Sequence, residues 1–379
     1  MKTRFNFPTR ILFGPGVLAD LPAELLALGC KRPLVVTEAG LLATGIPERV
    51  QAVLRDAGLE SGLFSDVAPN PSDGQVEAGA EAFRAHGADG IAAVGGGSPM
   101  DAGKAIQLRI HHAEPLEKYD DLAGGDALIT GPLPPLVAVP TTSGTGSEVS
   151  RSAVISVAAA DRKVVIFSPR FMPSAAICDP ELTYGLPPRI TAETGMDALS
   201  HNLEAYLARG YHPMADAIAL AGVAMVAGNL PKAVANGRDA AARAEMMMAS
   251  TMGAVAFQKG LGVIHSLAHP LSSVSGLSHG LANAIMMPHA LRFNAASVPE
   301  RIVEIARALG ADDHSPEGAA AAVEALLQRI GLPARLGQAG VQSAQIEQLV
   351  DKAMQDGCHG CNPRTCSASD MKALFEAAL

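Results

Sequence analysis

The chain has 379 residues, of which 48% are apolar and 18% charged. That balance excludes a disordered chain and gives enough length for two globular domains. The net charge of −9 with histidines neutral argues against nucleic acid or an anionic membrane surface as partner.

The first residues, MKTRFNFPTRILFGPG, contain no apolar run of signal-peptide length. The longest apolar stretch, residues 217–230, reads as a buried helix too short to span a bilayer. A cytoplasmic protein is expected. Five cysteines, an odd and uneven set, predict no disulfide framework.

In chain order, residues 33–40 read as a strand and turn, 46–58 as a helix, 61–67 as a strand and 76–87 as a helix. Residues 90–97 read as a strand running into glycines, 99–110 as a helix and 135–142 as a strand. This β–α alternation predicts a parallel, doubly wound sheet. Residues 154–169 read as strand material with a turn near Asp161. From about 186 the period becomes helical, over 191–209, 213–230, 239–258, 260–269, 281–293, 298–309, 315–330 and 343–356. The expected domains are 1–186, an α/β unit with a variant Rossmann-like sheet, and 187–379, an all-helical unit.

Two polar loops follow apolar strands. In Gly95-Gly96-Gly97-Ser98-Pro99, glycines let a phosphate approach the backbone, and Ser98 is expected to cap the next helix with Pro99 at its first position. N–H groups at such a helix start suit a pyrophosphate. The spacing is not GxGxxG, since Met100 stands where the last Gly belongs, and the acid Glu38 precedes the glycines instead of following them. The alternative is a plain strand-to-helix turn. The second loop, from Thr141 and Thr142 to Thr145 and Glu148, offers hydroxyls and glycines, or simply a capped helix start.

The helical half carries Asp197 and His201 in GMDALSHNLEAY, His265 and His269 in GVIHSLAHPL, and His279 in GLSHG. Residues four apart share a helical face, and same-face pairs on facing helices are a common way to build a metal site. A carboxylate with imidazoles suits Fe(II) or Zn(II). The alternative is a set of buried polar residues satisfied by neighbouring helices. Pro270 and Gly276 interrupt the segment, so helical phase does not place His279. Cys358, Cys361 and Cys366 lack a zinc-cluster spacing and read as surface or pocket-lining thiols. His86, His111, His112 and His212 read as exposed, and His289 as a core-edge residue.

The motifs GGGSPMDAGKAI, PTTSGTGSEVSRSAVI, GMDALSHNLEAY, GVIHSLAHPL, GLSHG and CNPR occur in that order. Together they resemble the iron-containing (group III) alcohol dehydrogenases, a family that includes lactaldehyde reductases and 1,3-propanediol dehydrogenases. The resemblance runs from about residue 5 to the end. It implies a dehydroquinate synthase-like architecture: a nucleotide-binding α/β domain, then a helical metal- and substrate-binding domain. It implies Asp197, His201, His265 and His279 as metal ligands and His269 as a catalytic proton carrier close to them. It implies cofactor contacts from Gly95, Gly96, Gly97, Ser98, Asp101, Thr141, Thr142 and Thr145, with Lys163 and Asn70 at further cofactor positions. Cys358 falls near its substrate end.

Glu38 stands where the family often has Asp. Its charge repels a 2′-phosphate, so NAD(H) is expected rather than NADP. The implied reaction is hydride transfer between NAD(H) and a small alcohol or aldehyde, with Fe(II), or Zn(II), as Lewis acid. A homodimer through residues 3–14 is expected. Glycerol dehydrogenase, dehydroquinate synthase and maleylacetate reductase share the architecture and are the alternatives. The dehydroquinate synthase reading lacks a Lys- and Arg-rich phosphate pocket in the helical half. A non-enzymatic nucleotide- or metal-binding protein leaves the reactive positions unexplained. Arg151 and Arg364 are either carboxylate readers or surface and domain-interface arginines.

Overall fold

The buried apolar runs of the N-terminal half pair as parallel strands. The structure is a computed structural model that describes residues 5–7, 10–160 and 162–379. The turn expected at Asp161 lies outside them, as do residues 3, 4, 8 and 9 of the N-terminal segment. The described strands are β1 (Arg10–Phe13), β2 (Pro33–Glu38), β3 (Gly62–Val67), β4 (Gly90–Gly95), β5 (Leu136–Pro140), β6 (Ser152–Val157), β7 (Arg162–Phe167) and β8 (Ala175–Cys178). Among the described residues, one parallel sheet runs in the order β1-β8-β5-β4-β2-β3, and β6 and β7 form a separate antiparallel pair.

Strands β4 and β5 are buried along their whole length. This is why they read as unbroken apolar runs and not as alternating ones. Successive side chains still point to opposite faces: Leu34 and Val36 enter one core with Phe64 and Ile106, while Val35 enters another with Val50 and Leu54. Helices Ile46–Asp56, Asp73–His86 and Gly97–Arg109 connect the strands.

Numbered from β2, the strands run 2-1-3-4-5, the flavodoxin-like variant of the doubly wound fold and not the usual Rossmann order. The winding reverses between β2 and β4, so the crevice for a ligand opens at their carboxyl ends. Val36 pairs with Ala93 there, which sets Glu38 beside Gly95 at the top of the sheet. The helix after β4 starts two residues earlier than expected. Its N-cap is Gly96, without a side-chain cap, and Ser98 and Pro99 lie inside its first turn.

The second compact unit comprises Leu186–Leu379 together with Ser143–Thr145. Its described helices include Pro188–Leu207, Pro213–Ala235, Ala240–Ala256, Val263–Ser275, His279–Asn294 and Ala368–Ala378. Expectation and structure also differ in the following places. Val263–Ser275 runs through Pro270 and ends at Gly276, whose φ of 71° gives the left-handed cap; packing of its buried face outweighs the hydrogen bond that proline removes. Ala368–Ala378 is an unexpected helix, signalled only by the Ser367/Asp370 capping box.

The apolar stretch at 217–230 belongs to the longer helix Pro213–Ala235, long enough to cross a membrane by length and composition. It buries one face, with Ala219, Val223, Val226 and Leu230, and leaves Ala217, Ala221 and Ala224 exposed. Finally, His112 and His212 are buried, not exposed. His112 Nδ1 bonds the Leu108 carbonyl while its Nε2 accepts from Thr130 N–H, and His212 Nδ1 caps a helix by accepting from Ala215 N–H. Backbone partners at both nitrogens compensate the burial of His112, whereas His212 is bonded at Nδ1 only and its Nε2 is buried with no hydrogen-bond partner among the described residues.

One close approach brings two helices of this unit together. A Cβ built on Gly280 would lie 2.0 Å from the backbone oxygen of Glu193. Only glycine lets the start of His279–Asn294 reach Pro188–Leu207. Gly280→Ala is therefore expected to destabilise the protein by about 1–3 kcal/mol, the usual cost of overpacking, as read by chemical denaturation. Unchanged stability would show that the two helices part freely.

Candidate functional site

Helix Pro188–Leu207 carries Asp197, His201 and Glu204, all buried and on one face. Helix Val263–Ser275 carries His265 and His269. His279 opens the next helix, directly after the N-cap Ser278. These three elements bring ligand atoms of Asp197, His201, His265 and His279 within 4.8 Å of one another. Asp197 Oδ1 lies 3.4 Å from His279 Nε2 and 4.0 Å from His201 Nε2. The His201 and His265 rings stack with centroids 4.8 Å apart.

The outer nitrogens of two rings are tied to acceptors. His201 Nδ1 bonds the Gly144 carbonyl at 3.3 Å, and His265 Nδ1 bonds Glu204 Oε2 at 2.6 Å. An Nδ1 that donates leaves the Nε2 lone pair free. His265 Nε2 is fully buried and has no hydrogen-bond partner among the described residues. A buried polar atom without a partner is costly. A cation at the centre of the four side chains satisfies it, so the donor set fits a divalent metal. Asn283 Nδ2 donates to Asp197 Oδ1 at 2.8 Å and lies 3.1 Å from His279 Nε2. Burial and the neighbouring imidazoles push His265 and His279 well below the usual histidine range, which keeps both rings neutral. Burial opposes ionisation of Asp197, but His201, His279 and His265 together bring its carboxyl below the ordinary value.

Glu204 was not singled out in the sequence, although it stands three residues after His201 in the same motif. Its carboxylate accepts from the N–H groups of Gly262 (2.9 Å), Ile264 (2.5 Å) and His265 (3.4 Å) as well as from His265 Nδ1. It therefore replaces the missing side-chain cap at the N-terminus of Val263–Ser275, where a negative charge is favoured. Burial raises its carboxyl to about 7, against those N–H donors, which favour the anion. Asn362, of the CNPR motif, holds the same helix start by accepting from Val263 N–H at 3.2 Å.

His269 stands one turn further along. Its Nδ1 bonds Asp356 Oδ2 at 2.6 Å, and its ring stacks on His279 with centroids 5.2 Å apart. His269, Asp356 and Cys358 form a second convergent group. Cys361 and Cys366 join neither group, all five cysteines are free, and Cys366 is buried and not at the surface. Asp356 lies 87 residues from His269, and no local spacing signals the pair. Arg364 is committed to Asp370 and the Phe293 ring, and Arg151 stacks over Phe167.

In the α/β unit, the sequence candidates gather at the carboxyl end of the sheet. Gly95 has a φ of 147°, and a Cβ on Gly96 would press to 3.2 Å from Thr142 Oγ1. The loop is thus a cradle open to a ligand only while both stay glycine. Thr141 N–H donates to the Gly95 carbonyl at 2.9 Å. Lys163 Nζ donates to Asn70 Oδ1 at 2.7 Å, and Asn70 N–H donates to Ser98 Oγ at 3.3 Å, so these three candidates form one chain. Asn70 takes φ 58°, a conformation otherwise held by glycine among the described residues. Glu38 ends β2 half-buried, and burial raises its carboxyl above the ordinary value.

Two candidates stand apart from that group. Asp101 accepts from Ser147 Oγ (2.9 Å) and Val154 N–H (3.1 Å), and so braces its helix against the β6 region. Thr145 belongs to the helical unit. Lys104, missed in the sequence, is fully buried and bonds the Ser147 carbonyl and hydroxyl and the Ser152 carbonyl. Burial lowers its amine to about 8.

Comparison with known proteins agrees along the whole chain. Residues 8–180 match the family described as iron-containing alcohol dehydrogenase, and residues 191–379 match the C-terminal region of the Fe-containing alcohol dehydrogenase family. The chain is 41% identical to 4-hydroxybutyrate dehydrogenase of Cupriavidus necator, with 98% of each chain covered. It is 37% identical to NAD-dependent methanol dehydrogenase of Bacillus methanolicus, with 100% of each covered. A solved structure of 1,3-propanediol oxidoreductase superposes with a TM-score of 0.96 at 38% identity, again over 100% of both chains.

The carboxylate behind His265 yields a test. Glu204→Gln is expected to weaken Fe(II) or Zn(II) binding about 10–100-fold, the usual effect of losing a partner behind a ligating histidine. Competition titration against a chelator measures it, and an unchanged affinity removes the orienting role.

Proposed function

The chain belongs to the iron-containing alcohol dehydrogenase family and is an NAD-dependent alcohol/aldehyde oxidoreductase, and from that premise we propose how its residues divide the work. Asp197, His201, His265 and His279 hold the metal. The observation that carries this reading is the buried, unpartnered Nε2 of His265 within four convergent ligand atoms. When bound, iron supplies Lewis acidity at an alcohol or carbonyl oxygen, and NAD supplies the hydride acceptor or, reduced, the donor.

The remaining work belongs to the protein. Glu204 and the Gly144 carbonyl hold the His265 and His201 rings with Nε2 turned inward. Gly95, Gly96, Gly97 and Ser98 offer backbone N–H groups at a helix start to the pyrophosphate. Asn70 and Lys163, tied to Ser98, add polar and positive groups beside it. Glu38 accepts from ribose hydroxyls and repels a 2′-phosphate, which favours NAD over NADP. Thr141, Thr142 and Thr145 contribute hydroxyls, and Asp101 holds the glycine helix in place. His269, held at Nδ1 by Asp356, carries the proton released in alcohol oxidation or delivers it in reduction.

The enzyme is further read as a cytoplasmic homodimer. Five free cysteines support a reducing compartment. Strand β1 lies at an edge of the sheet, where its open side suits pairing with a second copy. Sedimentation equilibrium is expected to give twice the chain mass, and a stable monomer at micromolar concentration ends that reading.

The deciding experiment strips the metal and follows reduction of NAD+ and NADP+ with methanol, 1,3-propanediol and 4-hydroxybutyrate, with and without anaerobic Fe(II). Activity is expected only with iron and chiefly with NAD+. His265→Ala is expected to abolish metal binding, whereas His269→Ala keeps the metal and loses about 10²–10⁴-fold in kcat, the range of general acid–base catalysis. Metal loss from the His269→Ala protein would overturn its assignment as proton carrier.

A further inference from the structure

Helix Val263–Ser275 presents two imidazoles one turn apart, and each is held at Nδ1 by a carboxylate distant in sequence. Glu204 holds His265 and Asp356 holds His269, both at 2.6 Å. The first pairing serves a candidate ligand. The second serves a ring outside the four-residue cluster. Its carboxylate is itself fixed from three sides. Asp356 Oδ1 accepts from Ser266 Oγ–H at 2.7 Å and from Cys358 N–H at 2.8 Å, Oδ2 bonds His269 Nδ1, and the Cys358 thiol also hydrogen-bonds the carboxylate. Ser266 in turn accepts from His359 N–H at 2.8 Å. Burial opposes ionisation of Asp356, but His269, Ser266 and Cys358 hold its carboxyl well below the usual carboxylate range. The group is therefore a fixed anion with one oxygen committed to backbone and hydroxyl donors and the other to the imidazole.

We propose that Asp356 is the positioning residue of His269: its Oδ2 accepts the Nδ1 proton, fixes that tautomer, and leaves the Nε2 lone pair as the atom that takes up the proton. This rests on the reading of His269 as proton carrier. Orientation of an imidazole by a buried carboxylate is worth large factors in rate where the tautomer matters, as in the Ser-His-Asp arrangement. The bonding of Oδ1 makes the consequence of an amide specific. In Asp356→Asn, the Ser266 and Cys358 donors retain the amide oxygen at the Oδ1 position, so the NH2 group turns to His269 Nδ1. It can only donate there, and the ring proton moves to Nε2. His269 then lacks the lone pair it needs, without any change in the size of the side chain.

The test combines spectroscopy with kinetics. In metal-free protein labelled with 15N-histidine, the His269 signals, assigned by their loss in His269→Ala, are expected to report the Nδ1–H tautomer. In Asp356→Asn they are expected to report Nε2–H. An Nε2–H tautomer in the unaltered protein overturns the proposal whatever the variants do. In the iron-loaded enzyme, Asp356→Asn is expected to lower kcat at least about tenfold within the range of general acid–base catalysis, with KM for alcohol and metal content unchanged. In the His269→Ala background the same substitution is expected to cost nothing further, because residues acting as a unit are not additive. An equal loss in both backgrounds makes Asp356 a structural brace and overturns the proposal. If His269→Ala alone leaves kcat intact, the proton-carrier reading fails and this one with it. If His269→Ala is impaired but Asp356→Asn is not, only this one fails.

Discussion

The buried carboxylate of Glu204 is the interaction on which the helical unit turns. It sits at the start of helix Val263–Ser275, where three N–H groups and an imidazole converge on it. A helix start needs acceptors for its unpaired donors. Gly262 has no side chain to supply them, and a Cβ there would lie 2.9 Å from Glu204 Oε1. The carboxylate thus caps one helix from another and orients His265 in the same act. Because Asp197 and His201 stand on the same face as Glu204, the cap also fixes the distance between the two halves of the candidate metal centre.

In the proposed reading the α/β unit solves a different problem, the recognition of a polyanion by a chain with net charge −9. Backbone does most of it. The strand order places its reversal between β2 and β4, and the helix after β4 begins on glycines with no side-chain cap of its own. Its N–H groups are left for a ligand. Positive charge is added sparingly: Lys163 is anchored to Asn70, while Lys104 is turned inward to hold the loop at Ser147.

Much of this was legible because it depends on short-range pattern. The parallel sheet follows from apolar runs alternating with amphipathic ones, and the Asp197/His201 pair follows from a spacing of four on a helix. The motifs, read in order, also led to the family to which the chain belongs. What local pattern missed has a common cause. Strand β8 and helix Ala368–Ala378 are short and stabilised chiefly by neighbours. Pro270 signals a helix end, yet the helix continues because its buried face is packed on both sides of it. His112 and His212 read as exposed because a lone histidine shows no sign in sequence of the backbone groups that will receive it.

The sequence by itself determined the alternation of strands and helices, the glycine turn after β4 and the inventory of acids and imidazoles, since each is encoded within a few residues by steric preference and periodicity. Only the tertiary structure decided which of those side chains meet. His279 joins Asp197 because Gly280 allows a backbone approach that no other residue permits. His269 meets Asp356 across 87 residues, and His265 meets Glu204 across 61. Pairings at that separation depend on how whole helices pack, and packing is a property of summed surfaces that no local spacing records.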